Sequence, residues 1–412
     1  MGAKQFAVAL SLQYFMSRIS GFALNASPFD RNSYVTAKVI EVKAADDRRD
    51  VVHRAVQALA EGEIVAFPTE TVYGLAVSAL NPKAVHALRH AKGRPETNPF
   101  SLCVPGADTL WDYVPTASPL MCRLARRCWP GPVTLVMPCD EGSVVSRFSD
   151  DVQQAVSPSG YVGLRVPAHD LISEVMQFLP GPLALTSANR SGEPDTIHGK
   201  EVVERLGDRV GLILDDGKCR YGQPSSVVKV EANHFQMLRQ GVVSESVLNH
   251  LSSYFVLFVC TGNTCRSPMA EVIMQKHLAD KLGTTIDQLD QRGILVASAG
   301  IAAFPGGRAA PEAINILSAR SLDLAGHASQ PLSDRLVEQA DLILTMTSGH
   351  RDAILARWPE ARDRVQTLSC DGRDIADPIG GSEDVYRQCL EQIESEIKLR
   401  VKDLDLENLL PS

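Results

Sequence analysis

Phe255-Val-Leu-Phe-Val-Cys260-Thr-Gly-Asn-Thr-Cys-Arg266-Ser-Pro-Met269 reads as a strand, a loop and a helix start in succession. Residues 255–259 are an unbroken apolar run, the mark of a strand covered on both faces of a parallel sheet. Pro268 suits a first helical turn, where its missing N–H is not needed. Met269, Ile273, Met274, Leu278 and Leu282 then recur at helical spacing. The loop between therefore turns its N–H groups inward at a helix N-terminus, where anions are favoured. Cys260 opens that loop and Arg266 closes it, a thiol beside a planar fork of donors that fits two phosphoryl oxygens. The same cradle stabilises a thiolate as readily as an oxyanion, and Ser267 is placed to hydrogen-bond the sulfur. An isolated Cys-x5-Arg would be a buried strand-end cysteine beside a surface arginine. The whole string in a strand–loop–helix setting points to a site.

Outward from this string, short apolar runs alternate with helix-period segments in both directions, which argues α/β architecture. Downstream the pattern predicts a helix over 269–282, strands over 294–297 and 342–346, and helices over 311–319 and 385–401. Upstream it predicts a helix over 51–59 and strands over 38–42, 64–67, 133–137, 163–166, 183–185, 212–214, 227–230 and 237–239. Residues 242–254 read as a connector with one or two amphipathic turns on Val243, Val247, Leu248 and Leu251. No internal repeat relates the two halves. The expected layout is an extension at 1–34, a first domain at 35–245, a linker at 246–254 and a second domain at 255–412.

The 412 residues are 44% hydrophobic and 22% charged, with formal net charge −8, the composition of a folded acidic protein of two to three domains. Such a balance excludes a general polyanion binder and requires a local basic patch for any RNA contact. No apolar run approaches the roughly 18–20 residues that span a bilayer; the longest clean one is 255–260. Nine cysteines without a CxxC pair fit a reducing cytoplasm better than a disulfide framework. No HExxH is present, so no metal site is expected. Residues 6–12 are a short apolar stretch behind a single Lys4 and 23–27 contain small residues, but a secretory signal needs a more basic start and a longer core.

The string from Cys260 to Pro268 resembles the low-molecular-weight protein tyrosine phosphatase family. The likeness extends through Ser298-Ala-Gly300, Asp341-Leu-Ile-Leu-Thr-Met346 and Asp377-Pro378. It implies a flavodoxin-like, four-stranded parallel sheet with helices on both faces. It also implies Cys260 as nucleophile, Arg266 as phosphate binder and Asp377 as general acid, without a cofactor. Thr261, Gly262, Asn263, Thr264, Cys265 and Ser267 would support the phosphate loop, Asn263 as its brace. The chemistry coheres, because phosphocysteine formation needs a proton for a poor leaving group. Thr264 stands where tyrosine-specific members carry a branched apolar residue, and resembles the protein-arginine-phosphatase branch. Ile379 stands where many members have an aromatic. Both features favour phosphoarginine over phosphotyrosine, with arsenate reduction as a third reading. Cys265 is either a disulfide partner for Cys260 or a packed thiol.

No Walker loop occurs upstream. The informative strings are Phe67-Pro-Thr-Glu-Thr-Val-Tyr-Gly-Leu75, Lys92-Gly-Arg-Pro-Glu-Thr-Asn-Pro99, Trp129-Pro-Gly-Pro-Val-Thr-Leu135, Arg165-Val-Pro167 and Ser187-Ala-Asn-Arg-Ser-Gly192. Singly they are turns, caps and a solvated basic pair. Together, in this order, they resemble the YrdC/TsaC family of L-threonylcarbamoyladenylate synthases, which implies a twisted mixed sheet with helices. The implied reaction joins L-threonine, bicarbonate and ATP, with Mg²⁺ on the phosphates. Its product serves N6-threonylcarbamoyladenosine formation in tRNA, which this protein would meet only indirectly, through a downstream transferase. By position in the pattern Lys92, Arg94, Asn98, Ser187, Asn189 and Arg239 would hold ATP, and Thr71, Arg165 and Ser225 the threonine. Two residues depart from the pattern: Phe100 replaces a leucine and Cys103 a histidine. The resemblances together imply a bifunctional cytoplasmic enzyme acting on a phosphoprotein as well as on ATP, with no membrane partner. The alternative is an N-terminal module that only binds nucleotide or RNA, beside a tyrosine phosphatase or arsenate reductase.

Overall fold

The computed structural model describes residues 37–411; the extension at 1–34 and the first two residues of the expected domain lie outside the described residues. The strands of the N-terminal half are β1 (Lys38–Glu41), β2 (Val65–Phe67), β3 (Gly74–Ser78), β4 (Ser101–Cys103) and β5 (Val133–Pro138), then β6 (Tyr161–Arg165), β7 (Leu183–Ser187), β8 (Leu212–Asp215), β9 (Ser226–Glu231) and β10 (His234–Arg239). They form one mixed sheet in the order β1-β8-β2-β3-β7-β4-β6-β5-β9-β10. Successive side chains of a strand face opposite ways, so the sheet feeds two cores. Val65, Phe67 and Ala76 pack beneath the helices α1 (Arg48–Ala60) and Asp170–Met176. Ala66, Leu75 and Val77 face α2 (Pro82–Lys92) and α3 (Pro119–Cys128) on the other side. Asn81 caps the start of α2, and Gly93 ends it in the left-handed region at φ 62°. That turn throws the chain off the helix between Lys92 and Arg94, a path that glycine takes without steric cost.

The C-terminal half is a four-stranded, all-parallel sheet in the order β12-β11-β13-β14. Its strands are β11 (Tyr254–Cys260), β12 (Ile294–Gly300), β13 (Leu342–Thr345) and β14 (Val365–Thr367). β11 is buried throughout, as its unbroken apolar run requires. Val256 and Phe258 face the core under α5 (Arg266–Leu282) and α7 (Glu383–Asp403), whereas Leu257 and Val259 face Ile354 of α6 (Ser348–Arg357) on the other side. Both sheets therefore have the architecture that the resemblances imply.

Three strands went unmarked in the sequence: 74–78, 101–103 and 365–367. The first runs straight out of a motif string, and the other two are three residues long, too short for a period to show. The connector holds α4 (Glu245–Ser252), in which Leu248 is buried and Val247 exposed. α4 packs against α3. α3 also carries Arg123, Arg126 and Arg127, whose guanidinium groups all converge on Asp341 at the entry to β13.

Candidate active sites

In the C-terminal half the sheet brings the ends of β11 and β12 together around the loop that leads into α5. Cys265 occupies the cap position of α5 without a side-chain cap bond, so the first N–H groups of the helix have no intrahelical acceptor. Asn263 takes φ 56°, a left-handed conformation that asparagine tolerates. This bends the loop so that the Asn263 N–H donates to Cys260 Sγ at 3.2 Å. Ser267 Oγ lies 3.0 Å from the same sulfur. The Asn263 side chain donates to Ser267 Oγ and Ser298 Oγ and accepts from the Gln330 N–H, tying the loop to its neighbours. His327 Nε2 is 2.7 Å from the Asn263 carbonyl. Arg266 is buried and donates to the Ile375 carbonyl and to Asp377, with which it is ion-paired. Asp377 itself is 43% exposed, so its carboxyl stands at the mouth while the thiol sits at the base.

Thr264 is half-buried, its methyl toward Gly307 and its hydroxyl over Gly262. Phe304 and Ile379 are exposed large apolar side chains of the same half. Cys265 is a free thiol 3.2 Å from the Tyr386 hydroxyl. Thr261 Oγ1 lies 2.9 Å from His350 Nε2. Sequence reasoning missed His327, Gln330, His350 and Tyr386, which lie 64–121 residues from their loop partners. Only the fold places them. The arrangement offers a sulfur nucleophile, converging donors for an oxyanion and a separate carboxyl for proton transfer.

In the N-terminal half a cavity of about 570 Å³ lies over the middle strands. Arg94, Asn98, Arg165, Ser187, Ser225 and Arg239, six of the nine residues proposed from sequence, line it. The other three stand directly behind. Lys92 Nζ donates to the Ser187 carbonyl at 2.5 Å and to Asn189 Oδ1 at 2.6 Å. Thr71 Oγ1 accepts from Arg165 at 2.8 Å. Burial, helped by the charge of Arg94, lowers the Lys92 ammonium to about 7. Burial likewise lowers Arg94 and Arg239. Arg94 is fixed by Thr186 Oγ1 at 2.9 Å and by the Pro99 carbonyl, and its guanidinium carbon lies 5.4 Å from the ring centre of Phe100. Arg239 grips the Ser225 carbonyl at 2.8 Å, and Ser225 Oγ meets Thr134 Oγ1 at 3.1 Å.

Arg165 forms a buried 2.9 Å ion pair with Glu70, yet Arg165 Nε and Glu70 Oε2 have no partner. Such orphaned polar atoms are costly unless something completes them. Glu70 lies in the 67–75 string, and nothing in the sequence marks it as the partner of Arg165. Thr134 and Ser101 also join the wall; they sit on the face of β5 and β4 opposite their apolar neighbours, a signal that alternation alone carries. Cys103 is fully buried beside Arg165 and Glu70, and burial pushes its thiol up to about 12, so it is an inert packing group.

Residues 57–241 match the family model described as telomere recombination, the Sua5/YciO/YrdC domain. Residues 255–408 match the low molecular weight phosphotyrosine protein phosphatases. A threonylcarbamoyl-AMP synthase of Pyrococcus abyssi is 32% identical over 242 residues, 56% of this chain and 69% of that protein. A protein-arginine-phosphatase of Bacillus subtilis is 39% identical over 153 residues, 36% of this chain and 95% of that protein. The chain belongs to both families. The solved structure of the YwlE arginine phosphatase from Geobacillus stearothermophilus is 39% identical, covers 38% of this chain and 96% of its own, and superposes with a TM-score of 0.33. The 570 Å³ cavity thus belongs to a threonylcarbamoyl-AMP synthase domain, and the Cys260 loop to a phosphatase domain. Among the described residues no helix is long and apolar enough to cross a membrane.

Proposed function

We propose that one chain carries out two reactions: synthesis of L-threonylcarbamoyl-AMP and hydrolysis of protein phosphoarginine. The observation that carries the second is Thr264, half-buried in the phosphate loop, its methyl toward Gly307 and its hydroxyl toward Gly262 and 3.6 Å from Cys265 Sγ. A guanidinium is planar and rich in N–H donors, so it needs an acceptor where an aryl ring would prefer hydrocarbon. The Thr264 hydroxyl supplies that acceptor. Cys260 Sγ attacks phosphorus, the P–N bond breaks, and Asp377 gives its proton to the departing guanidine nitrogen. Arg266 and the loop N–H groups hold the equatorial oxygens. Water then attacks phosphocysteine, and phosphate leaves.

In the synthase domain the threonine nitrogen joins bicarbonate carbon with loss of water. The carbamate oxygen then attacks the α-phosphorus of ATP, and pyrophosphate departs. Arg165, with Thr71 behind it, receives the threonine carboxylate, and Ser225 borders that end of the cavity. Arg94, Lys92, Asn98, Ser187, Asn189 and Arg239 supply the charge and hydrogen bonds for the phosphates. Mg²⁺ enters as part of the nucleotide substrate. The lining residues include hydroxyls and no carboxylate, so the phosphates rather than the protein would carry its coordination. The product passes to tRNA through a separate transferase. Nine free thiols suit the reducing cytoplasm.

The test compares kcat/KM on matched phosphoarginine and phosphotyrosine peptides for wild type and Thr264→Ile. The change keeps the β-branch and removes the acceptor, at a cost of about 1–3 kcal/mol, or roughly 5–150-fold on phosphoarginine. Phosphotyrosine activity holds or rises. A wild type that prefers phosphotyrosine, or an unmoved ratio, overturns the arginine assignment. For the synthase, pyrophosphate release must require ATP, threonine and bicarbonate together; release without threonine would refute it.

A further inference from the structure

Helix α6 begins between the two loops that the phosphatase reaction needs. Its third residue, His350, is buried and places Nε2 2.9 Å from the hydroxyl of Thr261, the first loop residue after the nucleophile. Its first residue, Ser348, donates its N–H to Asp374 Oδ1 at 2.7 Å, three positions before the acid Asp377. The chain closes the circuit on the far side, where Arg266 donates to the Ile375 carbonyl at 3.2 Å and pairs with Asp377. Thr261, His350, Ser348, Asp374, Ile375 and Arg266 thus form a ring that joins the nucleophile loop to the acid loop.

His350 is an expensive residue in that ring. Its Nδ1 is buried without a partner, which costs stability, and burial together with the Arg266 charge lowers its basicity, despite Asp377 and Asp374 nearby. A neutral imidazole with one used nitrogen is a poor packing group, so its side-chain hydrogen bond to Thr261 accounts for its place. We propose that His350 is a positioning residue of the phosphatase, holding the Cys260 loop in register with the acid loop so that Asp377 reaches the leaving group as sulfur attacks. The inference rests on the reading of Cys260 and Asp377 as nucleophile and acid.

Proton delivery matters most when the leaving group is poor. Turnover of phenyl phosphate is therefore compared with that of 2,4-dinitrophenyl phosphate for wild type, His350→Leu, His350→Gln, Thr261→Val, the Leu/Val double variant and Asp377→Ala. His350→Leu should lose about tenfold more on phenyl phosphate than on the dinitrophenyl ester, since small misplacements are amplified in rate. Thr261→Val, a change at an exposed side chain, should show the same bias, and the double variant no further loss. His350→Gln, whose amide reaches the Nε2 position, should recover to within about threefold, by the same distance argument. Equal losses on both esters, additive losses, or no rescue by glutamine overturn the proposal. An Asp377→Ala enzyme without leaving-group bias overturns the general-acid reading itself, and the proposal with it. Synthase turnover is the internal control for folding.

Discussion

Arg123 and Asp341 close a 3.0 Å ion pair between the synthase and phosphatase domains, with Arg123 only 1% exposed. Arg127 lies 2.8 Å and Arg126 2.6 Å from the same carboxylate, and the Phe255 N–H donates to it. Other guanidinium donors go to carbonyls, among them those of Ser252, Leu409, Leu251, Ser253, Gln339 and Glu338. Asp341→Asn leaves buried guanidinium charge uncompensated and should destabilise the protein by about 3–5 kcal/mol. Urea unfolding should show one transition in which both activities vanish together, shifted to lower denaturant in the variant. Two separate transitions would mean that the arginine cluster does not couple the domains. Burial alone would raise the Asp341 carboxyl, but Arg127, Arg123 and Arg126 outweigh it and hold it below its ordinary range. The stabilisation is therefore complete above the unfolded value of roughly 3.9 and is lost as pH falls below it through the folded value.

Arg266 is engaged by Asp377 in the structure, and on the phosphate-binding role we propose for it a phosphoryl group would compete for the same guanidinium. Removing the carboxylate should therefore have opposite effects on binding and turnover. Asp377→Ala should bind phosphate or vanadate roughly tenfold more tightly, about 1.4 kcal/mol from one lost competitor. Its turnover of unactivated aryl phosphates should fall about 10²–10³-fold for want of an acid. Inhibition constants and kcat measured on one preparation decide this. Weaker vanadate binding would show that Asp377 supports Arg266 rather than restraining it.

Gly300 ends β12 against the phosphate loop. A Cβ there would lie 2.5 Å from the Thr261 carbonyl and 2.9 Å from the Asn263 nitrogen, both backbone atoms with little freedom to yield. Gly300→Ala should push the loop outward and lower phosphatase kcat/KM by roughly 10²-fold. Synthase turnover, read as pyrophosphate release, should stay within about twofold, because its cavity belongs to a separate core. A fully active Gly300→Ala enzyme would show that the loop tolerates the displacement.

The residues that were legible in the sequence are those whose neighbours in the chain do the work. Cys260 and Arg266 announce a cradle because strand, loop and helix are contiguous, and Lys92 and Arg94 announce a basic turn because Gly93 separates them. Glu70, His350 and Tyr386 were not legible. Each owes its place to a partner brought in by tertiary packing: Arg165, Thr261 and Cys265, respectively. The arginines of α3 fall in the same class: Arg123-Leu-Ala-Arg126-Arg127 reads as an ordinary basic helix face, and only the fold shows that face meeting Asp341. The sequence admits either a disulfide or a packed thiol at Cys265, and the structure shows a free thiol beside Tyr386.

Lys92 carries the clearest pH signature. Its ammonium is buried behind Ser187 and Asn189 and lowered to about 7, first by desolvation and then by Arg94. With ATP held where we propose, its phosphates would favour the charged form and raise the proton affinity of Lys92. At a pH of about 8 the free enzyme holds this amine mostly neutral, so ATP binding must draw a proton from the buffer. Below a pH of about 6 the amine is already charged, and above roughly 10 it stays neutral even with nucleotide present, so uptake vanishes at both ends. Calorimetric titration of ATP in two buffers of different ionisation enthalpy measures the proton count directly. Wild type should take up close to one proton near pH 8, with ATP affinity falling as pH rises. Lys92→Arg keeps a permanent charge and should lose that uptake while still binding nucleotide. An equal proton count in wild type and Lys92→Arg would show that Lys92 does not change charge when ATP binds.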